Sequence, residues 1–247
     1  MTILFAGLDH VVTLRQAGGG RDPDPAVAAA LAELAGAGGI GLTCGRERAA
    51  MQDRDVHLLR EVTRTVLNVR LPPQEEFVKL ALDIRPDLVT LIPEGSDGLG
   101  AVRGMDVEDR RSELVPIIEA LRAGGIGVSV LVDPAPAQVK AAHRAGVDAI
   151  LLNTAGLSWT GDLAARAAEF EGLVNAAKVG QSLRLAVQAG GGLDYQTVGS
   201  IARILEVEAI HVGHALIARA ALVGMGEAVR ELLRVMGGSA GSRPPVA

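Results

Sequence analysis

The sequence has little from which to build a covalent or aromatic scaffold. Among 247 residues there is one cysteine, Cys44, so an intrachain disulfide is excluded and no cysteine cluster can hold a metal. That usage fits a reducing cytosol. Aromatic residues make up 2% of the chain, which leaves Ala, Val, Leu and Ile to form the core, a diet suited to parallel strands under Ala-rich helices. There is no basic block: arginines are spread along the chain and the formal net charge is −5, which argues against a nucleic-acid partner. No apolar run reaches the roughly 18 residues of a membrane span, and the first residues lack the charged-then-apolar pattern of a secretory signal. A soluble cytoplasmic globule is expected, without a membrane or nucleic acid among its partners.

What is present is a repeat of short apolar runs followed by helical patterns. Residues 3–8, 40–43, 66–71, 88–92, 126–132, 149–152, 183–187 and 209–212 read as buried strands, each followed by a helical segment. Asp24 before Pro25 reads as an N-cap with proline at the first helical position, opening the first helix after a long loop from Asp9-His10. Further helices are expected at 54–65, 75–84, 135–144, 163–179 and 195–205, with one from 106–113 through Leu121 and a last one running to about Met236. Three junctions repeat one phrase, Ala37-Gly38-Gly39-Ile40-Gly41, Ala123-Gly124-Gly125-Ile126-Gly127 and Ala145-Gly146-Val147-Asp148-Ala149-Ile150, in which glycine closes a helix before a buried strand. Eight such units predict an α/β fold, a single (β/α)8 TIM barrel over residues 1–236, with 237–247 a flexible tail. A doubly wound open sheet is disfavoured because no G-x-G-x-x-G follows the first strand.

Barrel active sites lie at the C-terminal ends of the strands. Those ends carry Asp9-His10, Thr43-Cys44, Arg70, Pro93-Glu94, Asp133, Asn153-Thr154, Gln188 to Gly192, and Gly213-His214. The last of these is a strand feeding a helix through glycine, where unpaired N–H groups and partial positive charge suit a phosphate or carboxylate. Two readings stand there, an anion seat or a plain tight turn. Asp9 and His10 could orient one another and a ligand, or close the mouth as a satisfied polar pair. Gly190-Gly191-Gly192 allows a phosphate close to the backbone, or simple loop flexibility. Arg70 requires an anion, either a ligand or a carboxylate such as Glu94. Cys44 reads as a buried inert thiol, His57 and His143 as helix-surface residues, and no spacing suggests a metal site.

Taken together these residues resemble the pyridoxine 5′-phosphate synthase family of the deoxyxylulose-dependent vitamin B6 route. The resemblance rests on Gly7 to Arg15, Asp22-Pro23-Asp24-Pro25, Asp53-Arg54-Asp55-Val56, Asn68, Pro93-Glu94, Gly190 to Leu193 and Gly213-His214-Ala215, in that order along the chain. It implies a (β/α)8 barrel assembled as a homo-octamer that condenses 3-amino-2-oxopropyl phosphate with 1-deoxyxylulose 5-phosphate, with no metal or other cofactor. It also implies two histidines and a glutamate as acid–base residues, and these positions are occupied here by Thr43, Gly191 and Arg70. Further ligand-contacting positions of the family fall at Gly7, Gly18, Gly45, Ala50 and Gly100, whereas Asp9, His10, Gly192, Gly213 and His214 are kept. One general acid or base contributes roughly 10²- to 10⁴-fold to rate. Threonine cannot take a proton at neutral pH, arginine stays charged, and glycine has no side chain.

The expected function is therefore that of a divergent member, binding a small phosphorylated or carboxylated metabolite through Asp9, His10, Arg70, Gly192, Gly213 and His214. A catalytically silent binding paralogue, or a synthase with groups relocated to Glu94, Asp133 or His10, are the alternatives. Crystals soaked in phosphate or sulfate are expected to show the anion against the Gly213 amide; an anion found only elsewhere would overturn the assignment.

Overall fold

The computed structural model describes residues 2–45, 53–94, 103–159 and 163–237. From the N-terminus the elements are β1 (Ile3–Gly7), α1 (Asp9–Gly18), α2 (Pro25–Leu34), β2 (Gly39–Thr43), α3 (Asp53–Val62), β3 (Val66–Leu71) and α4 (Glu75–Ile84). There follow β4 (Leu88–Leu91), α5 (Arg111–Ala123), β5 (Gly127–Val132), α6 (Pro136–Ala145), β6 (Ala149–Asn153), α7 (Ala155–Trp159) and α8 (Leu163–Ser182). The chain ends with β7 (Ala186–Gly190), α9 (Val198–Ile201), β8 (Ala209–Val212), α10 (His214–Val223) and α11 (Met225–Val235). All eight strands pair in parallel and in chain order, and β8 closes on β1 with Ile3 opposite Ala209 and Ala6 opposite Val212. This is the single (β/α)8 barrel that the repeat of apolar runs and helices predicts.

The strands are apolar on their outward face, while the inward face mixes apolar, polar and glycine residues. Outward residues such as Leu4, Ile40, Val69, Val89 and Ile150 pack with the helices into the main core, the source of most of the stability. Inward residues alternate with these and fill the barrel in layers drawn from alternate strands. From the pairing register, Phe5, Asn68, Ser129 and Gln188 share one layer, and Gly41, Thr90, Leu151 and His211 the next. Above them lie Gly7, Arg70, Leu131 and Gly190, and at the mouth Thr43, Ile92, Asn153 and Gly213. The upper interior is thus lopsided. Glycines end β1 (Gly7) and β7 (Gly190), follow β8 (Gly213) and lie within β2 (Gly41), while Ile92, Leu131 and Leu151 form a small apolar cluster on the opposite wall.

Several local expectations are met. The Asp24 side chain accepts the Ala26 N–H at 2.8 Å, with Pro25 in the first turn of α2. Others need correction. The segment after Asp9-His10 is the helix α1 rather than a loop; only Asp9, Val11 and Val12 of it are buried, so its apolar periodicity is too weak to read. Gln188 to Gly190 belong to β7 and not to a turn, because the strand starts at Ala186, two residues after Arg184 leaves the preceding helix with φ 61°. The last helix is broken at Gly224 into α10 and α11. The helix expected at 195–205 shrinks to α9, since the Asp194 carboxylate accepts both the N–H and the hydroxyl of Thr197 at 2.8 Å and makes a turn instead. Ala50, Gly100 and the tail beyond Gly237 lie outside the described residues.

One backbone crossing holds the mouth in shape. A Cβ at Gly104 would stand 2.0 Å from Asp133 N and 2.4 Å from the Val132 carbonyl carbon, both backbone atoms that cannot swing aside. Gly104→Ala is expected to destabilise the protein by about 2 kcal/mol or more, whereas Gly18→Ala, with nothing within 4 Å, is expected to be near neutral. Urea unfolding midpoints of the two variants check this contrast.

Candidate functional site

β1 ends at Gly7, and two residues later Asp9 opens α1 with its carboxylate buried over the barrel mouth. Its Oδ1 accepts the Thr43 N–H at 2.7 Å, and its Oδ2 lies 3.4 Å from the Thr43 hydroxyl and 2.5 Å from Arg70 Nη2. Arg70 faces the interior from β3, two strands away from β1. The guanidinium reaches across β2 over Gly41, where a Cβ would stand in ordinary contact 3.8 Å from Arg70 Nη2. The anion that Arg70 requires is therefore Asp9, not Glu94, which is exposed. With side-chain exposures of 17% for Arg70 and 4% for Asp9, this is a largely dry ion pair. Pairs of that kind depend on both partners being present.

Beneath the pair lies His211, which alternation in β8 turns inward. Its ring stacks on Phe5 with centroids 4.5 Å apart, and Nε2 is 2.9 Å from Gln188 Oε1. Burial, reinforced by the charge of Arg70, pushes its pKa down to about 3, so the imidazole is neutral and Nε2 is the donor to the amide oxygen. In the sequence His211 is marked only by its place in the strand 209–212, and the alternation of that strand is the signal for an inward side chain. Among the described residues, the buried Arg70 Nε, Asn68 Nδ2 and Ser129 Oγ in this interior have no hydrogen-bond partner.

The second group sits at the β8 end. Gly213 is the N-cap of α10 and offers no side-chain cap of its own, so the first-turn N–H groups face the mouth. His214 follows as the first helical residue and is exposed, and its ring meets that of His10 edge-to-face, centroids 4.9 Å apart. Gly7 keeps β1 and β8 close, since a Cβ there would fall 3.0 Å from Gly213 Cα. On the neighbouring strand end Gly191 and Gly192 are exposed with φ 116° and 69°. A Cβ on Gly191 would meet Asn153 Oδ1 at 2.8 Å, and the Gly191 carbonyl accepts the Thr154 hydroxyl at 2.7 Å. A side chain at 191 is excluded twice, by φ and by space.

The structure thus brings Asp9, Thr43 and Arg70 into one cluster and His10, Gly213 and His214 into another beside it. Asp133 is engaged in holding loops, its Oδ1 accepting the Gly104 N–H at 2.8 Å and Asn153 Nδ2 at 2.9 Å. Cys44 is buried, His57 lies 3.5 Å from Asp83 on the surface, and His143 is exposed. Among the described residues no three His, Cys, Asp or Glu side chains are grouped to hold a metal ion, and no helix is long and apolar enough to cross a membrane.

Comparison with known proteins adds a family. The family model described as pyridoxal phosphate biosynthesis protein PdxJ matches residues 4–238. A pyridoxine 5′-phosphate synthase from Syntrophotalea carbinolica is 44% identical over 239 residues, covering 97% of this chain and 100% of that protein. One from Geobacter metallireducens is 42% identical, covering 94% of this chain and 98% of its own length. Among solved structures, phosphoribosyl anthranilate isomerase from Thermus thermophilus superposes with a TM-score of 0.59 at 16% identity, covering 96% of this chain and 98% of its own. At that identity the likeness shows the barrel fold alone.

Two outcomes are expected of the site residues. Arg70→Met should cost about 3 kcal/mol by stranding the Asp9 carboxylate, and the double variant with Asp9→Asn should cost less than the sum of the two single changes, as read from a double-mutant cycle in urea. For His211, the folded pKa lies below the ordinary value of 6.5, so the unfolded chain binds the extra proton first and stability falls as pH drops below about 6.5 towards 3. The slope from this one group is about 1.4 kcal/mol per pH unit. His211→Asn should flatten the fall in unfolding free energy between pH 6 and pH 4.5.

Proposed function

The chain belongs to the PdxJ family of pyridoxal phosphate biosynthesis proteins, and from that premise we propose that it binds a small phosphorylated or anionic metabolite at the barrel mouth without the family's acid–base machinery. The observation that carries this reading is the 2.5 Å contact between Arg70 and Asp9. It stands where the resemblance puts a glutamate base, and a charged guanidinium committed to a carboxylate neither accepts nor relays a proton. Thr43, where one histidine of the family falls, is a donor to the same carboxylate. Gly191, where the other falls, leaves no room for a side chain against Asn153.

Binding has better support than catalysis. The Gly213 turn and the first N–H groups of α10 offer partial positive charge, with His214 and His10 beside them and Gly192 on the neighbouring strand end. The relatives' name, pyridoxine 5′-phosphate synthase, refers to a phosphorylated product, and the same class of ligand suits this mouth. In this reading the protein works in the cytoplasm as a homo-oligomer, an octamer by resemblance, with no nucleic acid or membrane partner and no metal or cofactor.

A second reading is favoured by the 44% identity across 97% of the chain, namely synthase activity with relocated groups. Incubation with 3-amino-2-oxopropyl phosphate and 1-deoxyxylulose 5-phosphate separates the two. We expect no product above the buffer background, together with stabilisation by a phosphorylated ligand of about 2.7 kcal/mol at 100 times its Kd. Product formed at a rate well above background would establish the second reading instead.

A further inference from the structure

The chain leaves β7 by turning one peptide group over. In a parallel sheet successive carbonyls of a strand point to opposite neighbours. Gly190, the last residue of β7, follows that pattern, its carbonyl accepting the Thr154 N–H at 2.9 Å on the β6 side. The Gly191 carbonyl would then face β8. It is held instead on the same side as its predecessor, where it accepts the Thr154 hydroxyl at 2.7 Å. A peptide rotated out of the strand pattern places both carbonyls against one residue, and the φ angles of Gly191 and Gly192, 116° and 69°, accommodate that rotation.

The rotation redirects two donors. A trans peptide is planar, with its N–H opposite its carbonyl. The Gly191 N–H therefore points away from the Gly190 carbonyl, and the Gly192 N–H away from the Gly191 carbonyl. With both carbonyls drawn to Thr154, both N–H groups turn from β6 towards β8. Successive N–H groups on one side make a concave donor pair of the kind that receives an anion oxygen. Both glycines are exposed, and among the described residues no backbone carbonyl accepts the Gly191 N–H. The pairing of Gly190 with His211 sets them beside Gly213 and the start of α10.

Thr154 is placed to hold that turn. It is buried, its N–H is committed to Gly190, and its carbonyl accepts the Leu157 N–H at 3.0 Å. Asn153 before it is braced by Asp133 at 2.9 Å. A fixed hydroxyl thus selects one orientation of a glycine peptide that has the freedom to adopt others. We propose that Thr154 is a positioning residue of the mouth, its hydroxyl keeping the Gly191–Gly192 peptide turned over so that two N–H groups face the anion. The assignment rests on the anion-binding reading given above. Thr154 touches no ligand in it and acts through the Gly191 carbonyl.

Isothermal titration of the full-length protein with inorganic phosphate tests the assignment. Thr154→Val keeps the shape and removes the hydroxyl, and it is expected to weaken phosphate binding about fivefold or more. Thr154→Ser restores the donor and should bind within about twofold of the unmodified protein. Thr2→Val removes a hydroxyl that meets the Ala202 and Val207 carbonyls at the opposite end of the barrel; it should leave the affinity unchanged, which separates positioning from lost stability. Undiminished binding by Thr154→Val, or equal weakening by Thr154→Val and Thr154→Ser, overturns the role of Thr154 and leaves the phosphate reading intact. If Thr154→Val fails to fold, phosphate-soaked crystals of the unmodified protein give the answer. An anion within hydrogen-bond distance of the Gly191 and Gly192 nitrogens is expected, and one held by α10 alone overturns the proposal. Failure of the unmodified protein to bind phosphate overturns the phosphate reading, and the role of Thr154 with it.

Discussion

The buried pair between Asp9 and Arg70 is the contact on which the arrangement of the mouth depends. It joins the start of α1 to β3 across the intervening β2, and it takes in Thr43 through both the backbone and the side chain. Two charges removed from water gain stability only when their remaining hydrogen-bonding capacity is met. Asp9 satisfies that condition through three donors. Arg70 satisfies it on one edge and leaves Nε unmatched. Burial, reinforced by the charge of Arg70, keeps His211 neutral, and a neutral imidazole can lie flat against Phe5 and bond to an amide.

The mouth also depends on an absence. A Cβ at 41 would make an ordinary contact with Arg70 Nη2 at 3.8 Å, but a Cβ at 7 or 190 would fall 3.0 Å from Gly213 Cα or 2.9 Å from His211 Cβ. Gly7 and Gly190 therefore let the ends of β7, β8 and β1 approach one another. The opposite wall is formed by Ile92, Leu131 and Leu151. A polar side carrying Arg70 thus faces an apolar wall, with Thr43 and Arg70 sharing the Asp9 carboxylate and Gly191 lying against Asn153.

Much of the framework was legible in the sequence because its signals are local. The Asp24-Pro25 helix start, the glycine-closed helix ends and the eight apolar runs each arise within a few residues, and together they determine the barrel. Membership of the family was legible in the same way, through short motifs from Gly7 to Ala215. What failed locally was weakly patterned. α1 buries Asp9, Val11 and Val12 alone, and β7 is displaced by the conformation of Arg184, which periodicity does not register.

The sequence by itself determined the fold, the family to which the chain belongs, and the need of Arg70 for an anion. Only the tertiary structure decided that this anion is Asp9, and that His211, Asn68 and Gln188 share the interior with it. The reason lies in barrel closure. The partners are 61 residues apart in the chain for Arg70 and Asp9 and 23 for His211 and Gln188, and pairing register rather than spacing brings them together.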